Sequence, residues 1–279
     1  MSVLSERDIV GELGRGILFY PLKPGSIKAC SLCLTASEYA YALGQKQRLT
    51  VQSEPKPNKP GEEQKFFCIP PRDTVLVWTD ESIWLSSYLY CPIYSRVGLV
   101  SQGVGHIGTR VNPSWSGVLC IALHNVSNEA IRINVRDVNE PIAYLMVYRL
   151  SSKSSTNSNI DISARLDVLR GRPNSNEIYD FFTDRDNRWM TGDTALLRKL
   201  LQDSDEYKKL KIGIHQVLFL RLGADPMTRW TAIAAIAALL TAIITAIQVF
   251  KPSSLSSPGS IPTPAPSTRQ NRELHLTGR

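Results

Sequence analysis

Between Gly16 and Leu150 the apolar positions come in short runs broken by turn residues. Thr74 to Thr79, Val118 to Leu123, Ile131 to Val135 and Ile142 to Tyr148 are the clearest. Val, Ile, Tyr and Leu dominate these runs, and Asn-Pro, Ser-Gly and Ser-Asn pairs fall between them. Short β-rich runs with frequent turn signals predict a mostly β domain, a barrel or a sandwich. Ahead of them, Ser5-Glu6-Arg7-Asp8 reads as a helix start. The Ser5 side chain can accept from the unbonded first-turn N–H groups, and Asp8 occupies the capping-box position. That helix should end near Gly14 to Gly16. Residues 54 to 63, with Pro55, Pro57, Pro60 and Gly61, read as an exposed loop.

The pattern changes at the Ser/Asn-rich stretch Ser151 to Asn159, which reads as a linker. Beyond it the spacing turns helical. Asp193 can cap a segment whose Leu196, Leu197, Leu200, Leu201 and Tyr207 share one face. Asp203, Asp205, Glu206, Lys208 and Lys209 fall mostly on the other, a solvated face. Trp230 to Phe250 reads WTAIAAIAALLTAIITAIQVF, 21 residues without a charge, a Gly or a Pro. As a helix this stretch spans roughly 30 Å, the thickness of a bilayer's hydrocarbon core. Arg229 and Lys251 flank it beside Trp230 and Phe250, as interfacial anchors do. The tail from Lys251 to Arg279 holds five prolines among serines and threonines and is expected to be disordered. The expected division is therefore a β domain over 1–150, a linker and helical extension over 151–229, a transmembrane helix over 230–250 and a tail over 251–279.

Within the span, Thr231, Ala234, Ala238, Thr241, Thr245 and Gln248 recur at alternating spacings of three and four. This stripe of small and polar residues suits close helix–helix packing in lipid, where hydrophobic burial gives no drive to associate. The lipid bilayer is thus one expected partner, and a second copy of the chain another.

Charge narrows the partners further. The net charge of +7 is modest, and no Lys/Arg block interleaved with aromatics reads as a nucleic-acid surface. It suits a protein beside anionic lipid headgroups. Five cysteines (Cys30, Cys33, Cys68, Cys91, Cys120) show no disulfide-scaffold spacing, and the start carries no secretory signal. These features predict a cytoplasmic N-terminal domain on a single-pass membrane protein. Cys30 and Cys33 have CxxC spacing but no second pair, so structural thiols are the expectation. His106 and His124 have no metal-like spacing and read as core or surface histidines. Gly103-Val-Gly105-His-Ile-Gly108 mimics a dinucleotide fingerprint outside any βαβ context.

The stretch from Phe66 to Ser152 carries a more specific pattern. Arg96-Val-Gly-Leu99 resembles the Arg-Leu-Gly-Leu of the dCTP deaminase and dUTPase superfamily. Thr109-Arg-Val-Asn-Pro-Ser-Trp-Ser-Gly117 is similar to its Arg-Ile-Asp-Pro-Gly-Trp-Ser-Gly hairpin and strand. LHNVSNEAIRI resembles the Asn-containing turn and strand that follow; LSERDI and LKPGSI resemble the family's opening segments. The resemblance covers roughly residues 1 to 150. It implies a distorted β-barrel or jelly roll, a homotrimer, and pyrimidine-nucleotide sites between subunits. Arg96 and Arg110 stand where the family uses arginines in and beside the nucleotide site, and guanidinium forks suit phosphates.

Other family positions depart. Where the deaminases carry a catalytic Glu this chain has Ala122, whose methyl group cannot move a proton. Their Ser four residues before the Arg is Pro92, and the dUTPases' water-activating Asp falls at Asn112. The dUTPases' Gly-rich phosphate lid is missing, and about three extra residues lie between Leu99 and Asn112. The expectation is a catalytically inactive, membrane-anchored nucleotide-binding sensor, effector or trimeric scaffold. No cofactor is expected beyond a magnesium ion accompanying a nucleotide. The alternatives are an active dCTP deaminase or dUTP diphosphatase drawing on Asp73, Asp80 or Glu81, and a structural trimeric membrane protein.

Overall fold

In the computed structural model, residues 1–56, 59, 61–106, 108–155 and 160–213 are described, together with Ala238 and Thr241. The fold is assembled on the strand Thr74–Leu85, which pairs antiparallel with Ser116–Asn125, Ala36–Ala42 and Ile17–Tyr20. With Val104–Gly105 and Gln47–Arg48 at its edges this makes a six-stranded sheet. A seven-stranded sheet runs in the order Ser2–Val3, Tyr148–Arg149, Leu89–Ser95, Ala143–Met146, Ser31–Leu34, Ile27–Lys28, with Arg110–Val111 also pairing Leu89–Ser95. Ile131–Asn134, Glu63–Ile69 and Gln52–Pro55 form a third, three-stranded sheet. The domain is mostly β, as the short apolar runs predict.

Strand alternation divides the interior into two apolar clusters. Val75, Val77, Leu119, Ile121, Leu123, Ala40 and Ala42 face the main core, where they meet Leu32, Leu34, Leu89, Ile93 and Leu145 of the seven-stranded sheet. Their alternates, Leu76, Trp78, Val118, Cys120, Ala122, Tyr39 and Tyr41, face the other way. There they meet Ala164, Leu169, Ile178, Phe182 and Met190. The central strands are therefore covered on both faces, which is why Thr74–Leu85 reads as a near-continuous apolar run at its start rather than as an alternation.

The second cover is the helical extension: Ile160–Leu169 and Arg185–Met190, both 3-10, with the α-helices Asn176–Thr183 and Thr194–Asp203. Hydrogen bonds fix it to the sheet. Trp78 Nε1 donates to the Ala164 carbonyl at 2.6 Å, Tyr41 Oη to Pro173 at 2.8 Å and Ser82 Oγ to Trp189 at 2.8 Å. Tyr39 stacks on Phe181 at 4.1 Å between centroids, and Arg48 pairs with Glu177. Met1–Phe219 forms one compact unit, and Leu220–Arg279 is assigned to another.

Local readings find their elements. Ser5 and Asp8 form the reciprocal capping box of helix Glu6–Glu12, and Asp193 Oδ1 accepts from Leu196 N at 2.9 Å. The segment after Asp193 differs from one continuous helix. It breaks at Ser204, whose ψ of 139 is extended, and resumes over 205–213. The Pro-rich segment 54–63 borders a hairpin, since Gln52–Pro55 pairs with Glu63–Ile69. Among the described residues no helix is long and apolar enough to cross a membrane. Trp230 to Phe250 lies outside them except for Ala238 and Thr241, which are helical and exposed. The stripe's other members, Thr231, Ala234, Thr245 and Gln248, also lie outside.

Candidate functional site

The strand Leu89–Ser95 leads into Arg96, whose extended backbone starts the single turn Val97–Val100. The Arg96 guanidinium lies over Gly98, where a Cβ would sit 3.4 Å from its Nε. Its Nη2 is 3.9 Å from Glu140 Oε1, a loose ion pair that leaves donors for a further acceptor. Arg110 pairs across the ladder with Pro92, is exposed, and donates from Nε to Asn112 Oδ1 at 3.2 Å. The two arginines thus flank one strand but engage different neighbours.

After Arg110–Val111 the chain turns tightly. Ser114 takes a φ of 63 and Trp115 N donates back to the Asn112 carbonyl at 3.2 Å. Gly117, at φ 122, then starts the long strand with a conformation that L side chains rarely adopt. Six residues into that strand, Ala122 pairs with Leu76 and packs, half-buried, against the second cluster. Asn125 ends the strand. It is 2% exposed, and its amide nitrogen donates to the carbonyls of Ile69, Pro70 and Glu129 at 3.2, 3.0 and 2.8 Å. Asn125 Oδ1 accepts from Ser127 N and Oγ. The residue ties down the turn and is spent on it.

The three carboxylates considered as alternative proton carriers are likewise engaged. Asp73 Oδ1 accepts from the backbone of Gly44 and of Thr74, both at 2.7 Å. Asp80 is paired with Lys23 at 2.9 Å and Arg136 at 2.8 Å. Glu81 is 1% exposed and accepts from Thr35 N at 2.8 Å and Thr35 Oγ1 at 2.6 Å, with Lys23 Nζ 4.0 Å away. Complete burial pushes its pKa up to about 7, against the opposing pulls of Lys23 and the Thr35 hydrogen bonds.

A feature the sequence reading passed over lies beside Arg96. Ser95 Oγ is 2.7 Å from His106 Nδ1, and His106 Nε2 is 3.3 Å from the Ile93 carbonyl. Burial holds the His106 pKa below its ordinary value. The contact joins a strand end to the far side of a hairpin, so no local motif announces it. A groove of about 800 Å³ elsewhere, lined by Gln47, Arg48, Thr50, Asn174 and Glu177, includes none of these residues. All five cysteines are free, and among the described residues no group of three or more His, Cys, Asp or Glu is placed to hold a metal.

No protein-family model matches the chain. The chain is 26% identical over 134 residues to a dCTP deaminase of Pyrococcus furiosus, covering 48% of this chain and 78% of that protein. It is 25% identical over 122 residues to a dCTP deaminase of Pyrococcus horikoshii, covering 44% and 70%. Among solved structures, the dCTP deaminase of Agrobacterium tumefaciens overlays with a TM-score of 0.39 at 12% identity, covering 60% of this chain and 52% of that one. The EIAV dUTPase overlays with a TM-score of 0.28 at 17% identity, covering 40% and 98%. The matches to the two Pyrococcus proteins support the likeness to the dCTP deaminase and dUTPase superfamily that Arg96 to Leu99 and Thr109 to Gly117 carry.

Proposed function

We propose that this chain is a nucleotide-binding domain of the dCTP deaminase and dUTPase kind, without deaminase or diphosphatase chemistry, anchored to a membrane by Trp230 to Phe250. The observation that carries the reading is the setting of Ala122. The position corresponding to the deaminases' proton-transferring Glu holds a methyl group and packs into an apolar cluster with the chain's own helical extension. The methyl group is half-buried against that cluster and has no atom that could carry a proton. Pro92 and Asn112 remove the other two groups, and Asp73, Asp80 and Glu81 are committed to structural hydrogen bonds and ion pairs.

The phosphate end of a pyrimidine nucleotide would meet Arg96 and Arg110. Arg96 is the better candidate, because its ion pair with Glu140 stands at the distance limit of such contacts and leaves donors for a phosphate. Replacing Arg96 with Ala should weaken nucleoside triphosphate binding by about 1.5–3 kcal/mol, the scale of hydrogen bonds to a charged group. Titration calorimetry of dCTP and dUTP into both proteins measures this. Equal affinity for the two would remove Arg96 from the site.

A homotrimer with parallel membrane helices follows from the same reading, since three chains rising from one barrel assembly would bring the Thr231 to Gln248 stripes together. The second reading, an active enzyme, is favoured by the names of the two Pyrococcus relatives. The anchor makes its own prediction. The full-length chain should sediment with membranes and resist carbonate extraction, while a fragment ending before Trp230 should stay in the supernatant. Full-length protein released by carbonate would end the anchor.

A further inference from the structure

We propose that Ser95 and His106 form a nucleophile–base pair that accepts acyl groups from small activated carboxylic esters. The argument starts from hydrogen-bond roles. A carbonyl only accepts, so the contact with Ile93 O places a proton on His106 Nε2. In a neutral imidazole Nδ1 is then bare, and the Ser95 hydroxyl, 2.7 Å away, must donate to it. This is the arrangement in which a histidine activates a hydroxyl: the base faces the nucleophile and its second nitrogen is held by a third group. Partial burial lowers the His106 pKa, so the ring stays neutral at physiological pH. Both residues are half-buried, at the edge of the domain rather than in its core.

The surroundings hold unspent polar capacity. His124 sits opposite Gly105 on the adjacent strand pair, is a titratable group whose charge acts on His106, and has Thr74 Oγ1 2.9 Å from its Nδ1. Its Nε2 is buried and, among the described residues, is the buried side-chain nitrogen or oxygen that lacks a hydrogen-bond partner.

The reaction balances without a co-reactant. Ser95 Oγ bonds to the acyl carbon while its proton passes to His106 Nδ1. The ester C–O bond breaks, and the departing alcohol or phenolate takes that proton. Water then attacks the acyl-serine, giving a proton to Nδ1. The Ser95 Oγ–acyl bond breaks, the carboxylic acid leaves, and Ser95 recovers its hydrogen from His106.

The test is incubation of the full-length chain with 4-nitrophenyl acetate, reading nitrophenolate release together with acetylation sites by peptide mass spectrometry. Ser95 should be the preferred hydroxyl. Ser95→Ala should abolish the burst, and His106→Gln should slow it by about 100-fold or more, the share a general base supplies. The wild-type rate should fall with acid through a midpoint below the ordinary histidine value of 6.5, as Nδ1 is taken up by a proton. That profile needs no variant and so stands even where a variant fails to fold. Acetyl groups spread over lysines with Ser95 unmodified, or a burst indifferent to pH across that midpoint, would overturn the proposal and leave the pair as a clasp holding the hairpin.

Discussion

Phe182→Ala is expected to destabilise the unit Met1–Phe219 by about 3–5 kcal/mol, the range for deleting a buried aromatic ring. Phe182 is 1% exposed and lies at the centre of the second cluster. Its ring meets Phe181 at 5.1 Å, Tyr39 at 5.6 Å and Trp78 at 6.0 Å. Removing it leaves a cavity between sheet and extension that neighbouring side chains on rigid strands cannot refill. Urea denaturation measures the loss. A second readout locates it: Cys120 faces this cluster, and burial pushes its thiol up to about 12, so it should be inert in the native protein. Phe182→Ala should speed its alkylation well before global unfolding. A loss within about 0.5 kcal/mol, the scale of exposed-site changes, would mean that the extension is a loose appendage rather than part of the core.

The second large effect concerns Glu81. Its folded pKa of about 7 stands above the ordinary 4.5, so between those values the folded state binds more proton than the unfolded state. Stability should therefore rise as pH falls from about 7.5 to about 5, by up to about 3 kcal/mol at 1.36 kcal/mol per pKa unit. The gain is complete below the unfolded value and is lost as pH climbs through the folded one. Asp8, Glu62 and Asp167 are shifted downwards, so their opposite contributions fall at more acid pH. In Glu81→Gln the side-chain amide can still accept from Thr35 N, and the rise toward acid should disappear, leaving only the opposite slope of His106, whose pKa burial holds below the ordinary value. Equal slopes in the two proteins would assign the pH dependence to another group.

Glu81 also shows where the sequence stops being legible. The run Thr74 to Thr79 announces a strand, yet the strand continues to Leu85 through Thr79, Asp80, Glu81 and Ser82, all buried. The apolar run stops at Thr79 because the next residues are polar, and their partners, Thr35, Lys23, Arg136 and Trp189, come from distant segments. Where the signal is local it carries through, as at the Ser5–Asp8 box and the Asp193 cap. The helical pattern after Leu150 is visible too, but not that it packs on the Trp78 and Val118 face of the sheet, since any amphipathic helix needs a face and the sequence does not say which. The site divides in the same way. Arg96 and Arg110 are visible through family-like motifs, whereas the Ser95–His106 contact depends on how one hairpin folds back over a strand.

The measurement closest to the central claim incubates the full-length protein with dCTP and with dUTP and reads bound nucleotide and released product in the same sample. The account predicts saturable binding of at least one of them with no deaminated or diphosphate product. Turnover at about 1 per second or faster, the lower range for enzymes, would contradict it.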